Sequence, residues 1–420
     1  NQYLEFMKYI LMERGKQPSF LLKDTGYGEQ YHDKWFALEY HQAHKPILEQ
    51  TEAVGHAVRA MYLYSGMADL AKTLDDEALF KTLKVLWADV TTKKMYITGA
   101  IGSDEHGEGF SIAYDLPNDR AYAETCASIG LFMWARRMLK LELNSDYADV
   151  MELALYNGIS SGMSEDGKQY FYVNPLEVNP AKVHQRYDLK HVRSSRVTWF
   201  GCACCPPNVA RILTSLEKYS YDISDDSNSI AIHLYLCGQI IMSDDSVWNI
   251  TGKYLTDGKI EITYSGEEKD FTLRLRNPGW STACEIRING LRIKAESEQG
   301  YFYILRKWKN GDTVQLKFEI TAQLVYANTY VEDDAGKVAV MRGPVVFCLE
   351  EADNGKDLHR IRMRADVEYQ IEHCPDLLQG VTRIRAQGEI LLPWEEDSLY
   401  AGSYTARYEA KELTWIPYYA

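Results

Sequence analysis

Apolar positions in the first half of the chain recur with a helical period. Residues 51–70 place Val54, Val58, Met61, Leu63 and Met67 along one stripe, as an amphipathic helix requires. The same spacing predicts helices over residues 76–90, 124–141, 147–160 and 207–221. Between them, residues 41–46 and 99–119 are loops rich in Gly, His and acids. Near residue 222 the period changes to two. Residues 229–235, 259–264 and 271–276 alternate as strands, and Asn289-Gly290 and Asn310-Gly311-Asp312 are hairpin turn signals. Further strands are expected over 337–341, 345–349 and 381–386. The pattern predicts a multidomain α + β chain. A helical bundle or toroid occupies residues 1–221, and antiparallel β-sandwich domains follow over 222–325 and 326–420. No disordered linker separates them, so the β region is expected to pack directly on the helices.

The chain has 420 residues, 46% of them hydrophobic and 25% charged, which suits two or three globular domains. A net charge of −14 argues against a nucleic-acid partner and against an anionic membrane surface. No apolar run approaches the roughly 18 residues of a membrane span. No signal peptide is visible and a cytoplasmic setting is expected. The periplasm is the alternative, because the first residue is Asn1 and a helical pattern is already under way at Tyr3, Leu4 and Met7. Eight cysteines in a chain of this size read as reduced and metal-binding rather than as a disulfide framework. Cys237, Cys284 and Cys348 read as small core residues.

Four of the other five thiols cluster in sequence or motif. Cys204 and Cys205 are adjacent, with Cys202 before them and Pro206-Pro207-Asn208 after. Upstream lie Glu124-Thr125-Cys126 and an acid flanked by glycines, Gly107-Glu108-Gly109. Glu124, Cys126, Cys204 and Cys205 make a four-ligand set of the kind Zn²⁺ takes. Residues two apart do not share a helix face, so Glu124 and Cys126 converge only at a loop or a helix start. Prolines favour a helix's first turn, and the helix N-terminus beside Cys204 and Cys205 lowers thiol pKa. A purely structural zinc site and a reduced core cluster are the alternatives. Glu108 reads either as an exposed loop carboxylate or as an acid on the rim of the same cavity. An acid opposite an activated thiolate matches the two-group arrangement of retaining glycosidases, with sulfur as nucleophile. His56, with His41 and His44 nearby, reads as a core histidine or as a substrate contact, and Tyr172 is ambiguous in the same way. Thirty tyrosines and nine tryptophans suit sugar stacking, although a core accounts for most of them.

The block Trp199-Phe200-Gly201-Cys202-Ala203-Cys204-Cys205-Pro206-Pro207-Asn208-Val209-Ala210-Arg211 resembles the signature of glycoside hydrolase family 127, the β-L-arabinofuranosidases. Other blocks similar to that family follow its order. They include Asp115-Leu116-Pro117-Asn118-Asp119, Arg276-Asn277-Pro278-Gly279-Trp280 and Arg342-Gly343-Pro344. The resemblance implies a retaining exo-glycosidase with a zinc-bound cysteine nucleophile. It assigns Cys204 as nucleophile and zinc ligand, Glu124, Cys126 and Cys205 as the other ligands, Glu108 as acid/base, and His56 and Tyr172 as substrate contacts. It implies an (α/α)6 toroid followed by β-sandwiches, with roughly the N-terminal half of the toroid and the family's usual C-terminal end outside this chain. The implied partner is an arabinofuranosyl oligosaccharide or glycan of plant origin, and a homodimer is an admissible assembly. A related pectic sugar acid is the alternative substrate. A non-catalytic, zinc-containing carbohydrate-binding protein is the alternative function.

Overall fold

A computed structural model describes residues 2–24, 38–378, 380–394 and 398–420. The first half is helical. Its principal helices are α1 (Gln2–Glu13), α2 (Ala57–Leu74), α3 (Glu77–Lys93), α4 (Thr125–Leu141), α5 (Ser145–Leu153) and α6 (Cys205–Leu213). Helix α4 is the hub. It is buried on nearly every side and packs on α2, α5 and α6. Gly130 permits the closest of these approaches, since a Cβ there would lie 2.7 Å from the Cβ of Met61 on α2. Among the described residues no helix is long and apolar enough to cross a membrane.

Three helix boundaries differ from the periodic pattern, each for a local reason. Helix α2 starts at Ala57 rather than residue 51 because Gly55 takes a φ of 72°. A Cβ on Gly55 would stand 2.0 Å from the carbonyl oxygen of Glu39. Only glycine tolerates both the left-handed backbone and that contact. The segment expected to be helical over 147–160 is α5 followed by a π-helical turn, Ala154–Ile159. Asn157 on that turn donates to the carbonyl of Pro344 and accepts from the N–H of Val346, at 2.8 Å each. The segment expected over 207–221 starts two residues earlier, at Cys205, and ends at Leu213. A short helix Glu217–Ser220 follows, and Tyr221 already begins a strand.

The β region opens as two packed sheets, of six and five strands, between residues 221 and 318. Trp248, Tyr264, Phe271 and Trp308 fill the space between them. The sandwich is not wholly antiparallel. Ser229–Ile232 pairs in parallel with Lys269–Arg276. The strands of the opposite sheet that lie between these two in sequence supply the crossover such pairing needs. The last region, expected as a second sandwich, hydrogen-bonds its strands into one seven-stranded antiparallel sheet among the described residues. That sheet already includes Ala322–Val325, which pairs with Ala339–Arg342, so a boundary drawn at 325/326 falls one strand late.

The helical and β regions are in direct contact. Arg276, fully buried on its strand, pairs with Asp149 and Glu152 of α5. Tyr254 donates to Glu152 at 2.7 Å, and the Trp280 indole donates to it at 2.9 Å. Arg136 of α4 reaches across to Asp222 at 2.7 Å. Buried ionic groups of this kind demand partners at fixed positions, which orients the β domains on α4 and α5.

Candidate active site

Three backbone junctions converge at the N-terminal ends of α2, α4 and α6. At the first, Gly55–His56 pairs antiparallel with Gly109–Phe110, setting His56 opposite Gly109. The N–H of Ala57 donates to the carbonyl of Glu108 at 3.1 Å. Glu108 therefore sits on a tight turn against the start of α2. Its own φ is 52°, beside Gly107 at 77°. A left-handed conformation on a non-glycine residue is sparsely populated and marks a position held by its surroundings. His56 Nε2 lies 3.5 Å from the Glu108 carboxylate.

At the second junction, Glu124 is the N-cap residue of α4 and Cys126 lies in its first turn. The helix start lets residues two apart face the same point. The strand-like segment carrying Tyr172 is tied across this start. Thr125 donates to the carbonyl of Tyr172 at 2.9 Å, and Asn174 donates to the Ala123 carbonyl at 3.0 Å. At the third, Cys204 is the N-cap of α6 and Cys205 its first residue, with both prolines in the first turn.

Glu124, Cys126, Cys204 and Cys205 meet there, with one ligand atom of each lying within 4.8 Å of all the others. The Cys126 and Cys205 sulfurs are 3.5 Å apart, those of Cys204 and Cys205 3.7 Å. Cys204 is 3.4 Å from Glu124 Oε1. The edge of a tetrahedron with Zn–S bonds of 2.3 Å is about 3.8 Å, so the thiols are spaced as zinc ligands. The other Glu124 oxygen is buried without a hydrogen-bond partner among the described residues. Soft sulfur with one carboxylate selects zinc over Mg²⁺ or Ca²⁺. The residues present fit a zinc ion.

The protein groups alone cannot all ionise at this spacing. Burial, and then the charge on Cys204, push the Glu124 carboxyl up to about 9. Hydrogen bonds from Cys126 and Cys205 hold the Cys204 thiol far below its ordinary value. The same contacts push Cys126 and Cys205 up. The contacts around Cys204 thus favour its ionised form. A divalent cation would let the other three groups deprotonate as well.

Tyr172 joins this cluster to the acid. Its hydroxyl lies 3.6 Å from the Cys204 sulfur and 3.4 Å from Glu108 Oε2. Those two distances together bound the separation of Glu108 and Cys204. The bound accommodates the ~5–5.5 Å spacing of retaining carboxyl pairs. All seven residues singled out from the sequence are therefore joined by short contacts. His41 stands behind them, its Nδ1 2.9 Å from Arg59. Burial and then the Arg59 charge lower its pKa to about 4.

A cavity of about 230 Å³ opens beside Glu108. Tyr122, Phe200, Lys190, His191 and Arg193 line it, none of them identified from the pattern. Burial and then the nearby Glu108 raise the Tyr122 hydroxyl's pKa. The one sequence signal for this wall was the basic run Lys190-His191-Val192-Arg193 in an otherwise aperiodic stretch.

The family profile described as the GH127 β-L-arabinofuranosidase catalytic domain matches residues 1–218. The family's middle domain matches residues 229–320 and its C-terminal domain residues 322–420. The chain is 38% identical to the non-reducing end β-L-arabinofuranosidase of Bifidobacterium longum subsp. longum, covering 100% of this chain and 66% of that protein. A crystal structure of a GH127 β-L-arabinofuranosidase from Geobacillus stearothermophilus T6 superposes with a TM-score of 0.94 at 43% identity, over 99% of this chain and 66% of that one. A second solved GH127 β-arabinofuranosidase gives 0.86 at 36% identity, over 100% of this chain and 63% of that one. The chain thus spans just under two thirds of the length of these relatives. The class these matches define is a multidomain glycoside hydrolase. Within it, the chain belongs to glycoside hydrolase family 127.

Proposed function

We propose that the chain carries the catalytic centre of a retaining, exo-acting glycoside hydrolase that releases β-L-arabinofuranose from the non-reducing ends of glycans. The observation that carries this reading is the placement of the Tyr172 hydroxyl between the Cys204 sulfur and the Glu108 carboxylate. In this reading the hydroxyl stands within reach of both the nucleophile and the proton donor. The relatives named as β-L-arabinofuranosidases supply the sugar.

In this reading Glu124, Cys126, Cys204 and Cys205 would hold a zinc ion, which would keep Cys204 ionised and make it a better leaving group. The Cys204 sulfur attacks the anomeric carbon as the C–O bond breaks. Glu108 gives its proton to the departing oxygen. The product of this first step is a thioglycoside on Cys204. Glu108, now a carboxylate, takes a proton from water. The water oxygen attacks the same carbon, the C–S bond breaks, and Cys204 leaves as thiolate. Two displacements at one carbon return the original anomeric configuration. Tyr172 donates to whichever of its two neighbours carries charge, and His56 holds Glu108 and the sugar in line.

The test is release of p-nitrophenol from p-nitrophenyl β-L-arabinofuranoside, with proton NMR on the first sugar formed. β-L-Arabinofuranose as the initial product supports the reading. Its α anomer, or no turnover by zinc-loaded protein, overturns it.

A further inference from the structure

The wall of the cavity beside Glu108 carries an unusual arginine. Arg193 lines the cavity, is exposed, and makes no ion pair among the described residues. Three basic residues near it in sequence are engaged. Lys190 is 3.2 Å from Glu105, and Arg186 is 2.9 Å from Asp119 and 2.5 Å from Asp188. His191 accompanies Glu105 at 3.5 Å and sits 3.1 Å from the Arg120 carbonyl. A chain with a net charge of −14 is on balance repulsive to anions. Arg193, at a cavity that touches the proposed acid, has no carboxylate partner of its own among the described residues.

The cavity's position says which part of a substrate it would hold. Glu108, Tyr172 and Phe200 line it, but Cys204 and His56 do not. The sugar under attack must reach the Cys204 sulfur and lie toward His56. The space on the other flank of Glu108 is left for the group that departs with its proton. Phe200, edge-on to Tyr172 at 5.7 Å, offers that group an aromatic surface.

We propose that Arg193 is the carboxylate-recognising residue of a leaving-group subsite, so that preferred substrates carry an acidic sugar, a hexuronate, on the reducing-end side of the scissile bond. A guanidinium fork matches a carboxylate with two parallel hydrogen bonds, which a lysine does not. This inference rests on the function proposed above and adds the chemistry of the leaving group to it.

The test compares two disaccharides with zinc-loaded enzyme. Both carry β-L-arabinofuranose on the same hydroxyl of a hexuronate. One has the free carboxylate and the other its neutral methyl ester. The unmodified enzyme should show a kcat/KM roughly fivefold higher for the acid, as befits one exposed charge-assisted contact. The preference should shrink as salt rises from 0.02 to 0.5 M. Arg193→Gln should abolish the acid-to-ester ratio, and Arg193→Glu should reverse it. Equal turnover of acid and ester by the unmodified enzyme overturns the subsite while leaving the proposed function standing. So does a preference that survives Arg193→Glu. Failure to cleave either disaccharide or the p-nitrophenyl glycoside overturns both.

Discussion

The hydroxyl of Tyr172 stands 3.6 Å from the sulfur of Cys204. Burial, followed by the charge of Glu124, pushes the tyrosine's own pKa well up, so it remains a donor at any working pH. A neutral donor at that distance stabilises a thiolate without competing for its role. Tyr172→Phe should lower kcat/KM by about 10- to 100-fold, the worth of one hydrogen bond to a charged group. Zinc content measured on the same protein should be unchanged. Loss of zinc in that variant would make Tyr172 a support of the cluster rather than of the reaction.

The backbone of Glu108 is tied independently of its side chain, since the Ala57 N–H binds its carbonyl and the ladder to His56 fixes the turn. Glu108→Gln should therefore fold and bind zinc normally. Its turnover of natural glycans should fall by roughly 10²- to 10⁴-fold. Aryl glycosides with good leaving groups should lose less in the first step, because they need little proton transfer. Equal loss on both, with zinc also lost, would assign Glu108 a structural part.

Cys126 and Cys205 approach to 3.5 Å and belong to the same four-residue cluster. Metal analysis of purified protein should give about one zinc per chain. Cys126→Ser and Cys205→Ser should each lose zinc and activity together. Active protein carefully purified without zinc would contradict the proposed ligand set.

The thiol cluster was legible in the sequence because its chemistry is written in two short runs. Cys204-Cys205-Pro206-Pro207 announces a helix start beside two sulfurs, and Glu124 with Cys126 demands another. Both helix starts are present. The cavity wall was not legible, because Tyr122, Lys190, His191 and Arg193 come from irregular segments with no period to follow. The late start of α2 was hidden for another reason. The apolar stripe continues through Val54, and the left-handed Gly55 under the close passage of Glu39 stops the helix there. The parallel pairing of Ser229–Ile232 is likewise a consequence of how two sheets stack, which no single strand's alternation reveals.

Arg276 is fully buried between Asp149 and Glu152 and also donates to the His233 carbonyl at 2.6 Å. Removing the guanidinium leaves two carboxylates uncompensated in the interface of helices and sandwich. Arg276→Met should cost about 3–5 kcal/mol in urea unfolding. The double variant Arg276→Met with Glu152→Gln should recover part of that loss. A destabilisation below about 1 kcal/mol would show that the interface does not depend on this pair.

The central claim is that Cys204, rather than a carboxylate, attacks the sugar. The direct measurement is peptide mapping of zinc-loaded enzyme after treatment with a cyclophellitol-type or haloacetamide-bearing mimic of β-L-arabinofuranose. Cys202, exposed and two residues away, is the internal control because it lies outside the four-residue cluster. The account predicts a single adduct on Cys204, none on Cys202, and protection by free arabinose. An adduct on Glu108 or Glu124 would contradict it, leaving the thiols to hold the metal alone.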